Sequence, residues 1–510
     1  MPRSDVDGHG RTFGARLGVA AWAIAALVAT QAASADVNEA ELESISIPDK
    51  VETSIGTLEF FDGVPTANTV GPVYDNLDRM RAVGVFLDNV GAVSLHYILV
   101  GLAGAGADRT NRIAIFEQLM DSQTLVVTAN TATLYAYGST DLAIDGPTVI
   151  EVPPGVLGFL DDGWQRFVGN IGVSGPDEGK GGKYLVLPPG YEGDVPDGYF
   201  LLEPSTNQNV LFLRGSLKDG LKAAVENISS GLKVYPLKDA ANPEATEFVN
   251  MSGKSFDTVF PSDFSYFELL NEIVQSEPIE AIGPEVRGAL AAIGIIKGQR
   301  FAPDARMKAL LTEAALIGSA TARVMTFYPR IDGVALYPDS AWSTPFANRN
   351  TSFEADGTMG LDARVLYYFN AGGVAPAMAA THAGVGSDYG LAYLDADKQP
   401  FDGSRTYKLH LPSDVPVNDF WAVTLYDSQT RSMLQTSQKF PTVGSQTEGI
   451  RKNDDGSYDL YFGPEAPEAM ESNWLQTVPG KSWFTILGMY GPLDPWIDKT
   501  WRPSEIELER

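Results

Sequence analysis

The apolar positions along the chain fall into three textures. From residue 124 onward, short runs of β-branched and aromatic residues alternate with turn residues. Segments 124–128, 133–137, 148–152, 184–187, 199–202 and 209–213 therefore read as strands. At Ser216 the period changes. Residues 216–228 place Leu217, Leu221, Ala224, Val225 and Ile228 on one helical face. Ser262 stands where it would cap a helix carrying Phe264, Phe267, Leu270, Ile273 and Val274. Asp304 opens a third helix with Met307, Leu310, Leu311, Ala314 and Ile317. Residues 280–301 predict a broken helix. Strand texture returns at 364–369 and continues through 406–411, 420–426, 458–462 and 483–490, with a hairpin turn at 453–456. Upstream, 75–90 has helical spacing, and 36–70 reads as a loosely structured lead-in.

These textures predict a mainly β protein with a helical part: two β-sandwich-like domains joined by a helical connector. The expected bounds are 36–215 for the first β domain, 216–345 for the connector and 346–510 for the second β domain. The 51 glycines and 32 prolines of the 510 residues suit so many short strands.

Residues 1–35 stand apart. Arg3, Arg11 and Arg16 precede an apolar run at 17–29, and Ala33-Ser34-Ala35 follows. Basic flank, short apolar core and small-residue exit are the parts of a secretory signal peptide. The run falls short of the ~20 residues a spanning helix needs. The expectation is an exported protein, periplasmic or secreted, that begins at Asp36 after cleavage and does not insert into the membrane.

Charge and composition narrow the chemistry. The chain carries 37 Lys and Arg against 65 Asp and Glu, a net charge of −28, which repels nucleic acid. No cysteine is present, which removes thiol catalysis, thiolate metal sites and disulfides. Outside the leader only His96, His382 and His410 remain, too few for the four nitrogen or sulfur ligands of a structural zinc. An oxygen-ligated cation stays open, and the sequence assigns no other cofactor and no oligomeric state.

Several motifs invite a chemical reading. The glycine-rich stretch 175–184 resembles a phosphate loop but misses its spacing, has Gly181 where a hydroxyl residue belongs, and leads into a strand. A β-hairpin or bulge presenting Lys180 and Lys183 to an anionic group fits better. Tyr135 and Asp141, on and after a strand, read as pocket residues, although Asp141 equally suits a turn tied through backbone hydrogen bonds. The richest surface is a hairpin pairing 406–411 with 420–426. With His410 opposite Ala422, Lys408 faces Thr424, and Tyr426 lies two pairs along. On this reading His410 is the proton carrier near neutral pH, Tyr426 its hydrogen-bonding partner, and Tyr135, Asp141, Lys180, Lys183, Lys408 and Thr424 ligand-binding residues.

The stretch 175–191, with Thr133-Leu134-Tyr135 and Asp141-Leu142, resembles the bacterial domain of unknown function 1254. Tyr407 to Pro412, Asp419-Phe420-Trp421, residues 423–427, Asp455-Gly456, Asn473-Trp474-Leu475 and Tyr490-Gly491-Pro492 resemble its C-terminal companion, domain 1214. The resemblance implies an exported or envelope protein of two β-sandwich-like domains and carries no settled activity. Three positions depart from the family pattern. Ala132 replaces an Asp, Ala422 a Ser and Gly488 an Arg. The resulting functional expectation is an envelope protein that binds, with turnover open, a small organic or sugar-like ligand in a cleft between the domains. The alternative is a non-catalytic structural or interaction module.

Overall fold

The computed structural model describes residues 38–379 and 382–509, so the leader and the predicted start at Asp36 lie outside the described residues. The chain divides after Pro72 into two compact units. In the first, Asn38 caps the helix Glu39–Ile45 by accepting from the Ala40 N–H. Strands Lys50–Thr53, Gly56–Phe61 and Val64–Pro65 then form an antiparallel sheet. The Thr69 hydroxyl ties back to both backbone groups of Glu59, at 2.8 and 2.9 Å. The stretch expected to be a loose lead-in is thus a small hairpin-built unit.

The second unit is β-rich with a helical part, as its alternating patterns predict. One sandwich stacks a four-stranded sheet on a six-stranded sheet. The first has the order Phe200–Leu202, Gly182–Val186, Thr148–Val152, Lys233–Pro236. The second has the order Glu247–Asn250, Arg112–Ile115, Leu134–Asp141, Gln208–Gly215, Val156–Asp162, Phe167–Gly172. Ile150, Tyr184, Val186, Leu134, Ala136, Leu211 and Leu213 interdigitate between them. The other sandwich stacks the sheet Trp342–Ser343, Ser387–Ala392, Trp483–Pro492, Val417–Asp427, Thr442–Gly444 on the sheet Trp474–Gln476, Tyr458–Gly463, Tyr407–Leu411, Glu507–Leu508. Leu409, Leu411, Trp421, Val423, Leu425, Phe462 and Trp483 fill its core.

The six- and five-stranded sheets are buried on both faces. Along Leu134–Asp141, Leu134 and Ala136 enter the sandwich core while Tyr135 and Tyr137 enter a second core shared with the other sandwich. Along Val417–Asp427, Trp421, Val423 and Leu425 point one way, and Ala422, Thr424 and Tyr426 the other. Tyr426 and Phe484, stacked at 5.1 Å, belong to the same shared core as Tyr135 and Phe212. Beside it lies a helical body of Val90–Gly104, Ser265–Ser276, Pro284–Ala292, Ala305–Phe327 and Leu361–Asn370.

Three sequence expectations are corrected here. Residues 124–128 form no strand. Thr128 has φ 46°, and the segment is pinned by the Val127 N–H on Thr258 and the Thr128 N–H on Arg431 O. Residues 364–369 lie in the helix Leu361–Asn370. Their aromatic composition suits a strand, but Tyr367 stacks on Phe346 at 4.4 Å and Phe369 lies under Arg431 at 4.0 Å. Packing overrides the local preference. Finally, Tyr407–Leu411 and Val417–Asp427 are not a hairpin. The first pairs with Tyr458–Gly463, placing His410 opposite Asp459, and the second pairs with Trp483–Pro492, placing Ala422 opposite Gly488. The face assignment along each strand holds. The strands meet face to face across the sandwich core instead of edge to edge, an alternative that alternation alone does not separate.

Candidate functional site

Where the six- and five-stranded sheets face each other, their side chains leave a cavity of about 120 Å³. Tyr135, Tyr137, Phe159, Phe212 and Arg214 line it from one sheet. Ala422, Thr424, Tyr426, Gly488 and Tyr490 line it from the other. The backbone turn after the helix Leu361–Asn370 closes one side. Gly373 there has φ 83°, and a Cβ would come within about 3 Å of Phe159 and Phe212, so that turn needs glycine. The wall is mainly aromatic and aliphatic, with few polar groups. Phe159 stacks on Phe212 at 4.9 Å and Tyr135 on Tyr137 at 5.9 Å.

Arg214 is the charged group of this wall. It follows Val210 and Phe212 on the inward parity of its strand, and its guanidinium sits 5.0 Å from the centre of the Tyr135 ring. It is enclosed by protein, and the part left accessible faces the cavity. Burial works against its charge, while the oxygens of Tyr135, Tyr389 and Tyr490 act the other way and hold its pKa above the ordinary value. It stays a cation. None of the residues lining the cavity is acidic, and among the described residues no carboxylate forms an ion pair with Arg214. Burial also pushes the Tyr135, Tyr137, Tyr426 and Tyr490 phenols above their usual range, so each is neutral at pH 7.

The polar contacts around it are specific. Asn130 Nδ2 donates to the Tyr135 hydroxyl at 2.6 Å, while Asn130 Oδ1 accepts from the Ala132 N–H at 2.9 Å. The Tyr426 hydroxyl donates to Ala129 O at 2.8 Å, tying the second sandwich to a loop of the first. Tyr389 and Ser387 share a hydrogen bond of 2.8 Å, as do Thr424 and Thr442 at 2.9 Å. The cavity therefore offers one fixed positive charge and several phenolic hydroxyls, and its described lining residues include no histidine, lysine or carboxylate.

Of the residues singled out from the sequence, the structure brings Tyr135, Thr424 and Tyr426 together on this wall. His410 lies on the outer sheet of the second sandwich, its Nδ1 2.7 Å from Asp459 Oδ1. Lys408, beside it, reaches Asp459 and Glu509 at 3.9 Å. Asp141 accepts the Ala143 and Ile144 N–H groups at the start of a short helix, the turn-tying alternative. Lys183 pairs with Glu151 at 2.9 Å and Lys180 with Glu178, both at the surface. The glycine-rich stretch is a turn into the strand Gly182–Val186, with no helix after it. Two of the three family departures, Ala422 and Gly488, are cross-strand partners on the cavity wall, and the third, Ala132, adjoins Asn130. Sequence reading passed over Arg214, Tyr389 and Tyr490. The available signal was parity: Arg214 continues the Val210, Phe212 row, one residue beyond the predicted end of that strand.

Among the described residues, no three His, Asp or Glu side chains gather where they could hold a metal ion. No single described helix is long and apolar enough to cross a membrane, although the bent pair Ala67–Asp88 and Val90–Gly104 passes by length and composition.

Residues 110–236 match the family model described as protein of unknown function (DUF1254), and residues 386–494 match that described as protein of unknown function (DUF1214). This is the pairing and order that the motifs resembled. Each matched segment covers most of one sandwich. The crystal structure of the VPA0106 protein from Vibrio parahaemolyticus is similar, with a TM-score of 0.52 at 18% identity, covering 85% of this chain and 100% of that one. That likeness speaks to the fold. An uncharacterised protein from Burkholderia cenocepacia matches with a TM-score of 0.39 at 12% identity, covering 87% of this chain and 97% of that one. No curated protein matches.

Proposed function

We propose that this chain, which joins a DUF1254 segment to a DUF1214 segment, binds a small organic molecule in the cavity between its two sandwiches. The cavity itself supports this reading most directly. It is concave, lies between two sandwiches, is walled mainly by aromatic and aliphatic groups, and carries a few polar groups on rigid strands. Ligand sites share these properties. Its lining supplies hydrogen bonds and a charge. The raised pKa values of its phenols make them donors and not bases near neutral pH. Binding is therefore the role its lining supports. The leader with its Ala33-Ser34-Ala35 exit supports export to the envelope.

Ala422 offers the direct test, because its methyl group faces the cavity opposite Gly488. A phenylalanine at 422 would fill the space between the sheets. Purified wild-type protein screened against small organic molecules by native mass spectrometry should yield ligands. Ala422→Phe, shown folded by circular dichroism, should lose them. Ligands retained by Ala422→Phe would place binding elsewhere, and a wild type without ligands would overturn the reading.

A further inference from the structure

We propose that the cavity ligand is a monocarboxylate with an apolar body, its carboxylate held by the Arg214 guanidinium. This rests on the reading of the cavity as a binding site and adds the chemical class of its occupant.

The argument starts from the charge balance of the protein. Acidic side chains outnumber basic ones, 65 to 37, so a carboxylate partner for any cation is easy to supply. In several places the fold supplies one, although the buried Arg431 is met by the Phe260 and Phe369 rings and Gln429 O, with no carboxylate ion pair among the described residues. Arg166 pairs with Asp162, Arg349 with Asp388, Lys439 with Asp121 and Lys481 with Asp427. Arg214 is more enclosed than most of these, yet none of the residues lining its cavity is acidic. A buried charge without a counter-charge is unfavourable unless something satisfies it. Here neutral phenols surround it, and the Tyr389 hydroxyl is close enough to accept from it. An anion entering the cavity would complete the set.

The shape and number of donors select the class of anion. A guanidinium presents parallel N–H groups that match the two oxygens of a carboxylate. One cation balances one negative charge. A phosphate monoester would bring nearly two, and the described lining residues offer no second cation to meet it. Tyr135 strengthens the choice. Its hydroxyl meets Asn130 and Thr133, and its proton can turn to donate to an anion held at Arg214. The remaining wall describes the rest of the molecule. The stacked Phe159 and Phe212 rings, with Leu391 and Ile486 opposite, suit an aromatic or branched aliphatic body.

The test is calorimetric titration of wild type, Arg214→Met and Arg214→Lys. Benzoate, phenylacetate and 4-methylvalerate serve as probes, alongside their neutral amides and inorganic phosphate. Wild type should bind at least one of these carboxylates at least about 10-fold tighter than its amide, the scale of a charge-assisted bidentate contact. Arg214→Met, with native circular dichroism, should lose that preference, so that acid and amide bind about equally. Arg214→Lys, which keeps the charge and loses the fork, should retain part of it. Amides that bind as well as acids, and are displaced by Ala422→Phe, would overturn the carboxylate assignment and leave the cavity reading standing. Phosphate binding tighter than every carboxylate would overturn it too. Absence of binding by acids and amides alike would overturn both.

Discussion

Glu277 follows the helix Ser265–Ser276, is 1% exposed, and has no basic partner among the described residues; its carboxylate accepts the N–H groups of Asn207 at 2.5 Å and Gln208 at 3.0 Å. Arg214 is half-buried on the cavity wall and, among the described residues, also lacks an opposite charge; phenols face it instead. The first charge is answered by the fold's own backbone, as a loop tie would be. The second is answered incompletely, on the wall of a cavity. The contrast separates two uses of a buried ionisable group. Where the chain supplies the partners, removing the group should cost stability. Where it does not, removal should cost binding and leave stability nearly untouched.

The largest effect on folding is expected at Glu277. Burial pushes its pKa up to about 7, and the two backbone donors counter this only in part. An unfolded glutamate ionises near 4.3. Between these values the folded chain keeps a proton that the unfolded chain has released. Its contribution is therefore full below about pH 4.3 and is lost as pH rises to about 7, by on the order of 3 kcal/mol. Urea denaturation of wild type across pH 4–8 should show this fall relative to Glu277→Gln, which carries no such proton. Parallel pH profiles for the two proteins would break the contrast.

A middle effect is expected at Asn130, a buried amide whose partners all belong to the protein. Asn130→Ala should lower stability by about 1–2 kcal/mol, the cost of leaving buried groups unpaired. Chemical denaturation checks it, and an unchanged midpoint would mean that loop 129–133 is held by other contacts. The smallest effect is expected at His410. Its own side chain is 40% exposed beside a part-buried Asp459, so the pair is largely solvent-screened and contributes little. His410→Ala should stay within about 0.5 kcal/mol of wild type and leave carboxylate binding as it was. A loss of binding would move the site to the outer sheet.

Much of the architecture was legible along the chain. Strand Thr148–Val152 has the bounds its pattern predicted, and Asp304 caps the helix Ala305–Phe327 through Met307 as expected. Parity along 420–426 separated Trp421, Val423 and Leu425 from Ala422, Thr424 and Tyr426, which put three cavity residues in hand. What failed depended on partners remote in sequence. The 364–369 segment is a helix because Phe346, Phe353 and Arg431 surround it. His410 and Ala422 separated because two amphipathic strands can meet across a core as well as along an edge. Arg214 was overlooked because a basic residue at a strand end reads as solvated; only the apposition of a second sandwich shows that its row is enclosed.

The strand Glu247–Asn250 completes the six-stranded sheet by pairing, in parallel, with Arg112–Ile115, and Glu507–Leu508 reaches back to Tyr407 and Lys408. The Tyr426 hydroxyl crosses to Ala129. Each closure waits for a late segment, so assembly order is set by loops of tens to hundreds of residues, the kind of topology that folds slowly. The first sandwich cannot finish its inner sheet until residue 250 has emerged, and the cavity has no second wall until residue 490 has. A nascent or truncated chain would hold Arg214 on an uncovered sheet face, and the pocket is among the last features of the molecule to come into being.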